Sequence, residues 1–166
     1  MERHQMMKMM FPLAISMAPE NATASDEITI TLDVNKSCPA GALMDADSVM
    51  MHSGVTLDGA AWQNVVAFDG VGGDGQTPKM MSNGDTWSIT FVPVDFYGVT
   101  AGEVTAINCV FNGGAWDAGE GKDTDAEGNC VDFTIPLGGM DTYKWMITFT
   151  PADYYDIPEG SVVTDD

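Results

Sequence analysis

Strict two-residue alternation of apolar and polar side chains is the feature that most limits what this chain can fold into. From Ile28 it reads Ile28, Ile30, Leu32 and Val34 against Thr29, Thr31 and Asp33. That pattern puts one face of an extended strand in a core and the other toward water. The same rhythm returns at Thr86–Val92, where Trp87, Ile89 and Phe91 share one face and Ser88 and Thr90 the other. Further strands are expected near Asp47–His52, over Ala61–Phe68, over Val104–Asn112 and over Asn129–Pro136. Glycine, proline and asparagine punctuate them: Cys38-Pro39-Ala40-Gly41 ends the first, a turn is expected from Gly54 to Gly59, and Asn83-Gly84-Asp85 is a hairpin turn. The run Asp69–Gly75, rich in glycine, is a loop. No stretch carries a 3.6-residue period with caps. The expected fold is all-β, an antiparallel immunoglobulin-like β-sandwich.

At 166 residues one principal domain is expected, here residues 25–137. Residues 1–24 read in two ways. Arg3 and Lys8, the apolar run Met9–Ala18 and the small residues of Ala22-Thr23-Ala24 follow the order of an export signal, and an N-terminal arm fits as well. No later segment approaches the ~18 consecutive apolar residues of a membrane-spanning helix, so no membrane span is expected.

Residues 138–166 repeat part of 80–105. Trp87–Val99 matches Trp145–Ile157 in register, and the register continues to Gly102-Glu103-Val104 against Gly160-Ser161-Val162. A truncated second module, an extra strand on the first, or a strand donated to a neighbouring copy each accounts for it. The last would make the repeat a route to self-association.

Charge narrows the partners. Twenty-five acidic and six basic residues give a formal net charge of −19, which excludes nucleic acid as the natural ligand because phosphate binding needs a basic surface. Hydrophobic residues make up 45% of the chain, too many for a disordered acidic tail. A folded protein with an acidic surface, secreted or at the cell surface, is the expectation. Of the cysteines Cys38, Cys109 and Cys130, the last two fall on neighbouring expected strands. Alternation places them on opposite faces, which argues against a bond between them.

Trp87 and Trp145 alternate with core residues and are expected to be buried. Trp62 follows the Gly59-Ala60-Ala61 turn and Trp116 follows Asn112-Gly113-Gly114-Ala115; neither belongs to an apolar face. His52 ends a strand on the face opposite Val49 and Met51. These three side chains either cap the core or form an aromatic platform beside an imidazole.

Their order along the chain resembles that of the starch-binding carbohydrate-binding modules, the β-sandwiches of amylases and bacterial surface glycan-binding proteins. The residues that carry the resemblance are His52, Trp62, Met80 or Met81, Gly84-Asp85-Thr86-Trp87, Phe111-Asn112-Gly113-Gly114 and Trp116-Asp117, spanning roughly Ile28 to Leu137. The resemblance implies non-catalytic binding of an α-glucan, a polysaccharide or oligosaccharide, with His52, Trp62 and Trp116 stacking and hydrogen bonding and with Asn112 and Asp117 beside them. The chain departs from the family after Asp117, where Ala118-Gly119-Glu120-Gly121-Lys122-Asp123 replaces an asparagine-rich run and a tyrosine.

Asp123-Thr124-Asp125-Ala126-Glu127-Gly128 has oxygen ligands at positions 1, 3 and 5 and glycine at 6, like the start of a calcium loop. Thr134 stands where the closing glutamate belongs. A structural Ca2+ on Asp123, Asp125 and Glu127 and a solvated hairpin tip both fit, and Asp69 with Asp74 is a fainter candidate. No Ser/His/Asp order, nucleophile elbow or carboxylate in an apolar setting is present, so no enzymatic activity is expected. The rival function is a structural module of an extracellular assembly whose strands pair between subunits.

Overall fold

The computed structural model describes residues 14–67, 79–114 and 119–138. Eleven strands run through them: β1 (Ile15–Ala18), β2 (Ile28–Asp33), β3 (Met50–Leu57), β4 (Ala60–Val66), β5 (Met81–Asn83), β6 (Thr86–Phe91), β7 (Val104–Asn112), β8 (Glu120–Gly121), β9 (Asp123–Thr124), β10 (Cys130–Val131) and β11 (Phe133–Pro136). A one-turn helix, α1 (Pro93–Phe96), follows β6. One antiparallel sheet has the order β1-β2-β6-β5 and the other β11-β7-β3-β4, with β8 also on β7 and β9–β10 forming a separate hairpin.

The alternation in β2 becomes burial directly: Ile28, Ile30 and Leu32 are fully enclosed while Thr29, Thr31 and Asp33 are half-buried. From the facing sheet, Met51 and Val55 of β3, Ile107, Cys109 and Phe111 of β7, and Phe133 and Ile135 of β11 join the same core. Phe111 and Phe133 meet edge to face at 5.5 Å, a favoured aromatic geometry. The fold is therefore an all-β antiparallel sandwich, as the alternation requires. Trp87 is buried in the core as expected, and Trp145 lies outside the described residues.

The first copy of the repeat is a complete packing unit. Its strand, β6, lies between β2 and β5. Pro93 then starts α1, a single turn too short for a helical period to register in sequence. Phe96 and Tyr97 fold back onto Phe91 at 4.4 and 6.0 Å, and the Tyr97 hydroxyl shares a 2.8 Å hydrogen bond with the buried Ser53 hydroxyl. Burial pushes the Tyr97 phenol well above its usual range, so it stays neutral. The second copy, within 138–166, lies outside the described residues.

Several boundaries differ from expectation. The second strand runs over Met50–Leu57 rather than ending at His52, and the turn expected from Gly54 to Gly59 contracts to Asp58-Gly59. Gly54 is in mid-strand for a steric reason: a Cβ there would lie 2.8 Å from the Gln63 carbonyl oxygen of β4. The strand expected over Asn129–Pro136 is interrupted at Asp132. Ile15–Ala18, within the segment read as an export signal or an arm, is an edge strand on β2, with Ile15 and Met17 buried.

Cys109 is a buried free thiol, and the disulfide joins Cys38 to Cys130. Cys109 is enclosed in the core while Cys130 is exposed, and no bond joins the two. The Cys38 backbone also pairs with Lys122 through two 2.8 Å hydrogen bonds. One short segment thus holds β8 by its backbone and β10 by its sulfur. Because the bond closes a separation of 92 residues, its loss should cost about 4–5 kcal/mol on loop-closure grounds. Cys38→Ser with Cys130→Ser is expected to lower the urea midpoint accordingly; an unchanged midpoint would contradict the role assigned to the bond.

Candidate functional site

Strand β7 is central in its sheet and buried on both faces. Its inner face enters the core; its outer face presents Ala106, Asn108, Val110 and Asn112, none more than 7% exposed. Beyond β3 in the same sheet runs β4, which carries two register shifts against it. Each inserts an extra residue, and Trp62 (φ 58°) and Asn64 (φ 50°) occupy left-handed backbone there. For a bulky residue that conformation costs about 1–2 kcal/mol. Bulges of this type re-aim side chains.

Two amides hold the irregular strand. Asn108 Oδ1 accepts from the Thr56 hydroxyl at 2.9 Å and from the Trp62 backbone N–H at 3.3 Å. Asn64 Nδ2 donates to the Tyr97 carbonyl at 3.0 Å. The indole of Trp62 then lies 5.8 Å from the ring of His52, tilted by 39°. His52 points outward from β3, directly across from Val110 of β7.

Below this ring pair opens a groove of ≈360 Å³ lined by His52, Trp62, Val110, Asn112, Glu120, Lys122 and Asp132. Its far wall is a polar rail. Asn112 Nδ2 donates to Glu120 Oε2 at 3.4 Å, and Lys122 Nζ lies 3.0 Å from Glu120 Oε1 and 3.2 Å from Asp132 Oδ1. The Glu120 carboxylate first, then Asp132, raise the Lys122 pKa, so the ammonium persists across the physiological range. Among the described residues, Asn112 Oδ1 is buried with no hydrogen-bond partner. An orphaned acceptor of this type costs about 1–3 kcal/mol, and buried polar atoms in folded proteins are nearly always paired.

Of the expected glycan residues, His52, Trp62 and Asn112 meet at this groove. Trp116 and Asp117 lie outside the described residues, as do Asp69 and Asp74. Both flanks of the Trp116 segment are fixed beside the groove. Gly113 N–H donates to the Gly119 carbonyl at 3.1 Å. Gly119, at φ 93°, packs so closely on the Ala42 carbonyl that no side chain fits. Met80 is buried and Met81 is 77% exposed. Glu120, Lys122, Asp132 and Asn108 were not singled out from sequence. Glu120 and Lys122 do stand two apart, the spacing of one strand face, and Asn108 breaks an apolar run.

Asp123, Asp125 and Glu127 occupy the β9–β10 hairpin. Asp125 Oδ1 accepts from the Glu127 and Asn129 backbone N–H groups at 3.0 and 2.7 Å, and Oδ2 accepts from Asn129 Nδ2 at 3.0 Å. The carboxylate thus makes the turn itself. Among the described residues, no three His, Cys, Asp or Glu side chains gather as metal ligands. No helix among them is long and apolar enough to cross a membrane. No protein-family model matches the chain, and no curated protein matches it.

Two predictions follow from these local geometries. Trp62→Gly relieves the left-handed strain that Trp62→Ala retains, so the glycine variant should be the more stable by up to about 1 kcal/mol. Equal melting temperatures would show that no strain is held there. At Asp125, the hydrogen bonds from Asn129 hold the carboxyl below its usual range. The support this gives is complete above the unfolded pKa of ~3.9 and is lost as pH falls through the lower folded value. Asp125→Asn should therefore lower the melting temperature at pH 7, with the gap to wild type closing below about pH 4. A gap independent of pH would refute the assignment.

Proposed function

We propose that this chain is a secreted or cell-surface β-sandwich that binds carbohydrate without catalysis, an α-glucan polysaccharide or oligosaccharide, on the outer face of its five-stranded sheet. The observation that supports the reading most is Trp62, held in unfavourable backbone geometry so that its indole stands beside His52 over an open groove. A core-capping tryptophan has no need of a left-handed backbone or a groove beneath it. A pyranose ring has an apolar C–H face that covers an indole and an edge of hydroxyls for amide and carboxylate partners. Trp116 and Asp117 extend the same platform in this reading, and Ca2+ at Asp123, Asp125 and Glu127 would brace the neighbouring hairpin.

Such a shallow site yields weak binding, with a Kd on the order of 10 μM to 1 mM. Weak sites gain from repetition, because linkage raises effective concentration. The repeat at 145–157 also supports a second reading, an assembly module, since its first copy is a strand that pairs on both sides.

Native electrophoresis in gels cast with soluble starch tests the two together. Wild type should be retarded, and Trp62→Ala and Trp116→Ala should each lose most of the retardation. A chain that migrates unretarded and elutes as an oligomer would favour the assembly reading and end the glucan one.

A further inference from the structure

The orphaned acceptor and the charged rail determine which ligands the groove can satisfy. Asn112 is 3% exposed, lines the groove, and spends its amide N–H on Glu120, while among the described residues Oδ1 has no partner. The reverse amide orientation would set Oδ1 against the Glu120 carboxylate, so the unmet need is for a donor. Lys122 uses two of its three N–H bonds on Glu120 and Asp132, and among the described residues the third has no carboxylate partner. An acceptor and a donor, both tied to the Glu120 carboxylate, therefore line the same groove as the ring pair.

We infer that Asn112, Glu120, Lys122 and Asp132 are the specificity-determining wall of the groove, and that its ligand is a neutral oligosaccharide whose hydroxyls both donate and accept there. This rests on the glycan reading of the same groove. A hydroxyl answers Asn112 Oδ1 as donor and Lys122 as acceptor. A uronate carboxylate can accept from Lys122 but brings no proton for Asn112, and it meets the carboxylates of Glu120 and Asp132 and a chain of net charge −19. A protonated amino sugar can donate to Asn112, but its ammonium has no lone pair with which to accept from Lys122, so it answers only one of the two groups. Glu120 and Lys122 also fall in the run where the chain departs from the starch-binding pattern, so hydroxyl recognition here uses an ion pair in place of a run of amides.

Isothermal titration in 0.5 M salt, which screens diffuse attraction to the acidic surface, tests this with three probe sets. They are neutral malto-, cello- and xylo-oligosaccharides, oligogalacturonate, and chitosan oligomers. A neutral oligosaccharide should bind and the two charged sets should not. Asn112→Leu should weaken that binding about tenfold, roughly one hydrogen bond, while its melting temperature holds or rises because a buried unpaired acceptor has gone. Lys122→Met should weaken binding similarly. If either charged set binds as well as the neutral one, the wall does not select as inferred. If both wall variants bind like wild type while Trp62→Ala does not bind, the wall is refuted and the glycan site stands. If wild type binds none of the probes, the glycan reading falls and this inference falls with it.

Discussion

A strand with no face open to water sets the terms for this molecule. The inner side chains of β7, Ile107, Cys109 and Phe111, are fixed by the core they share with Phe133 and Ile135. Its outer side chains include two asparagines, and burying an amide is costly without partners. Asn108 meets that demand by holding Thr56 and the backbone of Trp62. The bulged path of β4, the bare Cα of Gly54 beneath it and the aim of the Trp62 indole all follow from covering one central strand. Asn112, at the end of β7, is buried but lines the groove, and among the described residues its Oδ1 is left without a partner.

The groove's other wall depends on a covalent tie. Lys122 and Asp132 lie on separate short segments, neither with a core of its own. Cys38 gathers both, pairing its backbone with Lys122 and its sulfur with Cys130, two residues before Asp132. An exposed ion pair contributes little to stability, generally under 1 kcal/mol. A pair fixed this way is better understood as geometry presented to a partner than as support for the fold. In the proposed carbohydrate reading, the net charge of −19 acts at longer range and disfavours anionic partners at the groove.

What was legible in the sequence divides along physical lines. Alternation identified β2 and β6 and gave the bounds of β7, because side-chain period follows directly from strand geometry. Asn83-Gly84-Asp85 marked its hairpin because Gly84 takes a positive φ that few residues tolerate. Gly54 misled: a glycine inside a strand looks like a turn until the crossing strand that needs the space is known. The Cys38–Cys130 bond was out of reach, since pairing depends on which distant loops meet. His52, Trp62 and Asn112 were recognisable as a set by type and order. Glu120, Lys122 and Asp132 were not, because only the three-dimensional path of β8 and β11 brings them to that set.

The central claim is that the outer face of β3, β4 and β7 is where ligand lands. Backbone and indole amide resonances followed by NMR during titration with maltoheptaose address it directly. The account predicts saturable shifts gathered at His52, Trp62, Val110, Asn112, Glu120, Lys122 and Asp132, with the facing sheet, represented by Ile30 and Ile89, unmoved. Shifts confined to the facing sheet, or none at millimolar sugar, would contradict it.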